Sequence, residues 1–141
     1  MQSHIAVLVL SARPENKKSL LRILEDLPVN VFGAATLAEA REVLSEQSIS
    51  VVFCGARVSD GRYLDLLTFT RAKERSIQFV VMLGPGEWSE YMNARGFGAA
   101  KAVRWPLEPA DVESALIHAM RKQANASATR PGVSGASQAV Q

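Results

Sequence analysis

The chain has 141 residues, 48% of them hydrophobic and 21% charged, with a formal net charge of +2. That length supports one domain with its own core, and the charge is too small to argue for nucleic acid as a partner. A single cysteine excludes an intramolecular disulfide framework and fits a reducing compartment.

Met1-Gln2-Ser3-His4 lacks the positive region of a secretory signal. The apolar run from Ile5 to Leu10 is too short to cross a membrane, so a cytoplasmic protein is expected. That run instead reads as a strand covered on both faces. Ser11-Ala12-Arg13-Pro14 breaks it, and a helix follows in which Leu20, Leu24 and Leu27 share a face until Pro28 stops it. Residues 29–34 read as a weaker second strand. Thr36 with Glu39 three positions on is a capping-box pattern opening a second helix, whose buried stripe is Leu37, Ala40, Val43 and Leu44. Val51-Val52-Phe53-Cys54 is a third strand, and Asp60-Gly61 marks the turn into a third helix, with Tyr63, Leu66, Leu67 and Thr70 on one face. Residues 77–83 form a fourth strand. Gly84-Pro85-Gly86 is a loop, a helix spans about 87–95, and Gly96-Phe97-Gly98 ends it in C-cap style. Residues 99–104 read as a polar edge strand, followed by Trp105-Pro106. A last helix starts near Glu108-Pro109, with Val112, Ala115, Leu116 and Ala119 as its stripe.

Beyond about residue 122 the large apolar residues nearly vanish. The expectation is therefore a domain over 4–122 and a disordered tail over 123–141. Alternating strands and helices give an α/β fold with a parallel sheet. The leading topology is a flavodoxin-like three-layer sandwich, its five strands in the order 2-1-3-4-5 and accompanied by five helices.

Three stretches carry a resemblance to the receiver domain of bacterial response regulators: Leu10-Ser11-Ala12-Arg13-Pro14, the run from Cys54 to Gly61, and Trp105-Pro106, with Gly98 on a family glycine position. The resemblance covers about residues 4–122. It implies aspartyl phosphorylation, which needs an acceptor carboxylate, an acidic pair for Mg²⁺, a hydroxyl on strand four and a lysine after strand five. Those positions hold Gly55, Ser11 with Ala12, Leu83 (or Gly84 in an alignment one residue away) and Trp105. The resemblance also implies a cis Trp105–Pro106 bond and an interaction face on helix four, strand five and helix five. Trp88, Tyr91, Lys101, Arg104 and Arg121 fall on that face, and Lys122 adds to its basic character.

Several residues carry two readings. Asp60 is a substitute acceptor or, preferred, the N-cap of the third helix, with Gly61 and Pro106 structural beside it. Cys54 is a redox thiol or, preferred, a buried small hydrophobe. Arg13 and Arg57 bind an anion or an acidic partner residue or, preferred, are solvated. Trp88 and Tyr91 are partner anchors or packing residues. His4 and His118 are isolated, so no metal site is expected. The leading expectation is a pseudo-receiver signalling through protein contacts without phosphorylation, in a two-component context, and it is not an enzyme. It has no cofactor, an unidentified signalling protein or a second copy as partner, and neither nucleic acid nor membrane. Output is expected through the partner, since no output domain follows the fold. The alternatives are an active receiver using Asp60 and a small flavodoxin-like cofactor binder. The latter lacks a Gly-rich phosphate loop after strand one.

Overall fold

The computed structural model describes residues 5–73, 76–94 and 101–129. β1 (Ile5–Leu10), β2 (Val29–Ala34), β3 (Val51–Gly55), β6 (Gln78–Leu83) and β7 (Lys101–Arg104) form one parallel sheet in the order β2-β1-β3-β6-β7. In chain order these are the first to fifth strands of the sheet, so the arrangement is the expected 2-1-3-4-5. β1, β3 and β6 are the inner strands and carry the continuous apolar runs.

The two-residue side-chain period divides each run between two cores. Val7 and Val9, Val51 and Phe53, and Val80 and Met82 face α1 (Pro14–Leu24) and α5 (Pro109–Thr129), meeting Leu20, Leu24, Val112, Ala115 and Leu116. Leu8 and Leu10, Val52 and Cys54, and Phe79, Val81 and Leu83 face α2 (Leu37–Glu46) and α3 (Tyr63–Lys73), meeting Leu37, Ala40, Leu44, Tyr63, Leu66 and Leu67. Tyr91 of α4 (Trp88–Ala94) packs against the second core.

The structure departs from the sequence reading between β3 and α3. Instead of a plain loop, β4 (Arg57–Val58) and β5 (Gly61–Arg62) pair antiparallel as a tight hairpin, closed by the Tyr63 amide donating to the Ala56 carbonyl at 3.0 Å. The two residues between the paired strands are Ser59 and Asp60, and Gly61 already belongs to β5. α3 consequently begins at Tyr63.

The last helix also runs to Thr129, past the expected boundary at 122. Its extension contains Ala124, Ala126 and Ala128, and alanine has the best helix propensity, so a shortage of large apolar residues did not end it. Residues 130–141, His4, and the Gly96-Phe97-Gly98 C-cap lie outside the described residues. Among the described residues, no helix is long and apolar enough to cross a membrane.

Candidate functional site

Ligands of an open parallel sheet sit beyond the carboxyl ends of its strands. There, the loops after β1, β3, β6 and β7 enclose a cavity of about 90 Å³, lined by Ser11, Ala12, Arg13, Gly55, Arg57, Gly84, Glu87 and Trp105 among others. Residues far apart in sequence therefore meet as the resemblance implies.

Ser11 is buried, and its hydroxyl is spent on its own loop: Oγ donates to the Arg13 carbonyl and accepts the Arg13 amide, both at 3.2 Å. Ala12 and Arg13 are exposed. Gly55 ends β3 with no left-handed strain. A Cβ there would meet only the carbonyl oxygens of Arg57 and Leu10, each at 3.8 Å. A side chain at 55 therefore fits the backbone, and the positive φ that would have barred one is not found.

Leu83 is turned away. It is buried in the core beside Leu10 and Cys54, and its successor Gly84 lines the cavity. Alternation along β6 explains this, since Met82 and Gly84 share the opposite parity. Trp105 is half-buried against the α1–α5 core. Its amide extends the β6–β7 ladder by donating to the Leu83 carbonyl at 2.9 Å, and its bond to Pro106 is cis.

Glu87 was not singled out from the sequence. Its Oε1 accepts the Gly84 amide at 2.6 Å, closing the Gly84-Pro85-Gly86 loop on itself. It is the one carboxylate among the lining residues. A carboxylate just ahead of a helix is a common cap signal, and nothing local shows that it also faces a cavity.

Asp60 is not the cap of α3. Its carboxylate accepts the Leu37 amide at 2.8 Å and the Ala38 amide at 3.3 Å, capping α2 from another loop. Thr36 Oγ1 takes the Glu39 amide at 3.1 Å, so the first three amides of α2 are all satisfied. Glu39 reaches back to the Ala35 amide at 2.7 Å, one residue beyond the usual capping-box partner. The amides of Leu37 and Ala38 hold the Asp60 carboxyl below the ordinary carboxylate range. Asp60 does not line the cavity. Near the start of α3 it is Asp65 that accepts the Arg62 amide, at 3.1 Å. Gly61 has a φ of +154°, so its place in the hairpin is structural.

Cys54 is fully buried, its Sγ 3.2 Å from the Gly55 carbonyl, and burial pushes its thiol pKa up. The packing reading holds for it. Among the described residues no three His, Cys, Asp or Glu come together as metal ligands.

On the neighbouring face, Trp88 and Tyr91 differ in exposure. Trp88 is 41% exposed, with the Arg104 guanidinium 4.4 Å from its ring centre, whereas Tyr91 is half-buried, its ring centre 5.4 Å from that of Trp88. Lys101, Arg104 and Arg121 are exposed. A second cavity, of about 250 Å³, lies between Trp88, Arg104 and Trp105 and shares Gly84 and Trp105 with the first.

No family model and no curated protein sequence matches the chain. Solved structures do. The signal receiver domain of an HD domain-containing protein from Pseudomonas fluorescens superposes with a TM-score of 0.81 at 16% identity, over 92% of this chain and 96% of that one. A response regulator receiver domain protein from Clostridium thermocellum gives 0.77 at 20%, over 84% and 96%. A response regulator receiver protein from Pseudomonas putida gives 0.72 at 22%, over 84% and 99%. The fold is that of a receiver domain. At these identities the receiver likeness concerns the fold, and the chemistry has to be read from the cavity itself.

Proposed function

We propose that this chain is a receiver-like signalling domain that works by protein contact and without phosphorylation, in a two-component context. The observation that carries the reading is the content of the cavity. The positions of acceptor, metal-binding pair and lysine hold Gly55, Ser11, Ala12 and Trp105, and all four line one space. Aspartyl phosphorylation needs a nucleophile and a hard cation held by several oxygens. The Ser11 hydroxyl is engaged within its loop, and the Glu87 carboxylate holds the Gly84 amide. Asp60 is unsuited to act as a relocated acceptor because both its oxygens serve α2. A flavodoxin-like cofactor site is disfavoured, since about 90 Å³ is far below the ~300 Å³ at which ordinary ligand pockets begin.

The output surface in this reading is the face of α4, β7 and α5, where exposed Trp88 supplies an aromatic anchor and Lys101, Arg104 and Arg121 supply positive charge. Its partner is an acidic signalling protein or a second copy of the chain. Titration of the labelled chain with Mg²⁺ tests the reading. The amides of Ser11 and Gly55 should show no saturable shift in the millimolar range, and a saturable shift confined to those loops would contradict it.

A further inference from the structure

We propose that the cavity beyond β1, β3 and β6 is a binding site for one small oxyanion of the phosphate class, held without covalent chemistry by Arg13 and Arg57. This inference is separate from the loss of phosphorylation, and either can fail alone.

Charge comes first. Arg13, Arg57 and Glu87 are the charged residues among those lining the space, so its wall has two positive residues to one negative. The sequence places Arg13 and Arg57 on loops at one face and favours solvated roles for them; both are exposed, and both line the wall of this cavity.

Chemistry comes next. A guanidinium presents a rigid fork of donors that matches phosphate geometry, and it has five N–H groups, so a contact within the protein leaves others for a ligand. Asn16 lies on the same wall and can donate through its amide. α1 starts there with Arg13 as its N-cap and Pro14 behind it, and no side chain caps that end, so the helix dipole acts in the same direction.

Size decides the ligand class. About 90 Å³ suits a single small anion such as phosphate or sulfate. Gly55 on the wall carries no side chain, and a Cβ there would have only ordinary contacts. Glu87 opposes the anion, but its Oε1 is fixed on the Gly84 amide at 2.6 Å. Glutamine could keep that hydrogen bond while removing the charge, which gives the test a variant with the opposite sign.

The experiment is titration of the full labelled chain with inorganic phosphate, with sodium acetate and sodium chloride at matched ionic strength as parallel arms, read at the amides of Ala12, Asn16, Gly55 and Ala56. The expected result is saturable, localised shifts with phosphate in the millimolar range. Chloride should give none and acetate only weaker ones. Arg13→Gln and Arg57→Gln should each weaken phosphate binding about tenfold, the worth of a charge-assisted hydrogen bond. Glu87→Gln should tighten it, and a thermal melt of each variant confirms that it is folded. Equal shifts with chloride, acetate binding as strong as phosphate, or folded arginine variants with unchanged affinity would each overturn the proposal.

Discussion

The carboxylate of Asp60 accepts the backbone amide of Leu37 at 2.8 Å across 23 positions of sequence. The loop that follows β3 is thereby tied to the helix that precedes β3. Replacing Asp60 with alanine leaves the Leu37 and Ala38 amides without their acceptor, so the thermal midpoint should fall by several degrees, as for loss of a helix cap. Asparagine keeps one acceptor oxygen and should lose less. The carboxyl's pKa is lowered in the folded state, first by the Leu37 amide, so its stabilisation is present above the ordinary carboxylate value and is lost as pH falls through the lower folded value. The difference between wild type and Asp60→Ala should therefore shrink as melts are taken from about pH 5 towards pH 2. Equal stability at neutral pH would remove this role.

Gly61 and Gly55 stand six positions apart and make opposite predictions. Gly61 sits at φ +154°, and a Cβ there would collide with Leu37 Cδ1 and lie 2.7 Å from Asp65 Oδ2. Gly61→Ala should cost about 1–3 kcal/mol, from strain and from displacing the contacts on which Asp60 depends. Gly55 has neither problem, so Gly55→Ala should be neutral within about 1 kcal/mol or slightly stabilising. Urea denaturation of the two variants checks both, and a larger loss for Gly55→Ala would refute the assignment.

Much of the fold was legible because it is written in local periods. The apolar runs at Ile5–Leu10, Val51–Cys54 and Phe79–Leu83 specify strands buried on both sides, and the Leu20 and Leu24 spacing specifies a helix face. Thr36 and Glu39 announced their helix correctly. What stayed hidden was tertiary. Nothing near Asp60 reveals that its partner amides belong to α2, and nothing near Glu87 reveals that it faces Ser11, Gly55 and Trp105. The hairpin shows the limit well, since its turn is Ser59-Asp60 with Gly61 already in β5, and only the pairing of Arg57 with Arg62 and Val58 with Gly61 reveals it.

The proposed partner face makes a charge prediction. Arg104 combines exposure with a position over the Trp88 ring, 4.4 Å from its centre. Arg104→Glu with Lys101→Glu should reduce capture of an acidic partner or self-association by about tenfold or more at low salt, and the wild-type interaction itself should weaken as salt rises. Arg104→Glu alone should also alter Trp88 fluorescence by removing the stacked cation. Capture from the native cell with wild type and double variant in parallel measures the first effect. Unchanged capture by the folded double variant would place the surface elsewhere.

Intact mass after incubation with acetyl phosphate and Mg²⁺, for the wild-type chain and for Gly55→Asp, tests the proposal that this receiver fold does not run receiver chemistry. Gly55→Asp should fold, because the site at 55 has space. It would supply the nucleophile alone, with Ser11 and Ala12 still unable to hold the metal and Trp105 still in place of a cation. Groups of that kind are each worth on the order of 3 kcal/mol in the barrier, so two or three missing together slow transfer by several orders of magnitude. Neither protein should gain mass. A stoichiometric gain of one phosphoryl group by the wild-type chain would contradict the account outright, and a gain by Gly55→Asp would show a site one substitution from activity.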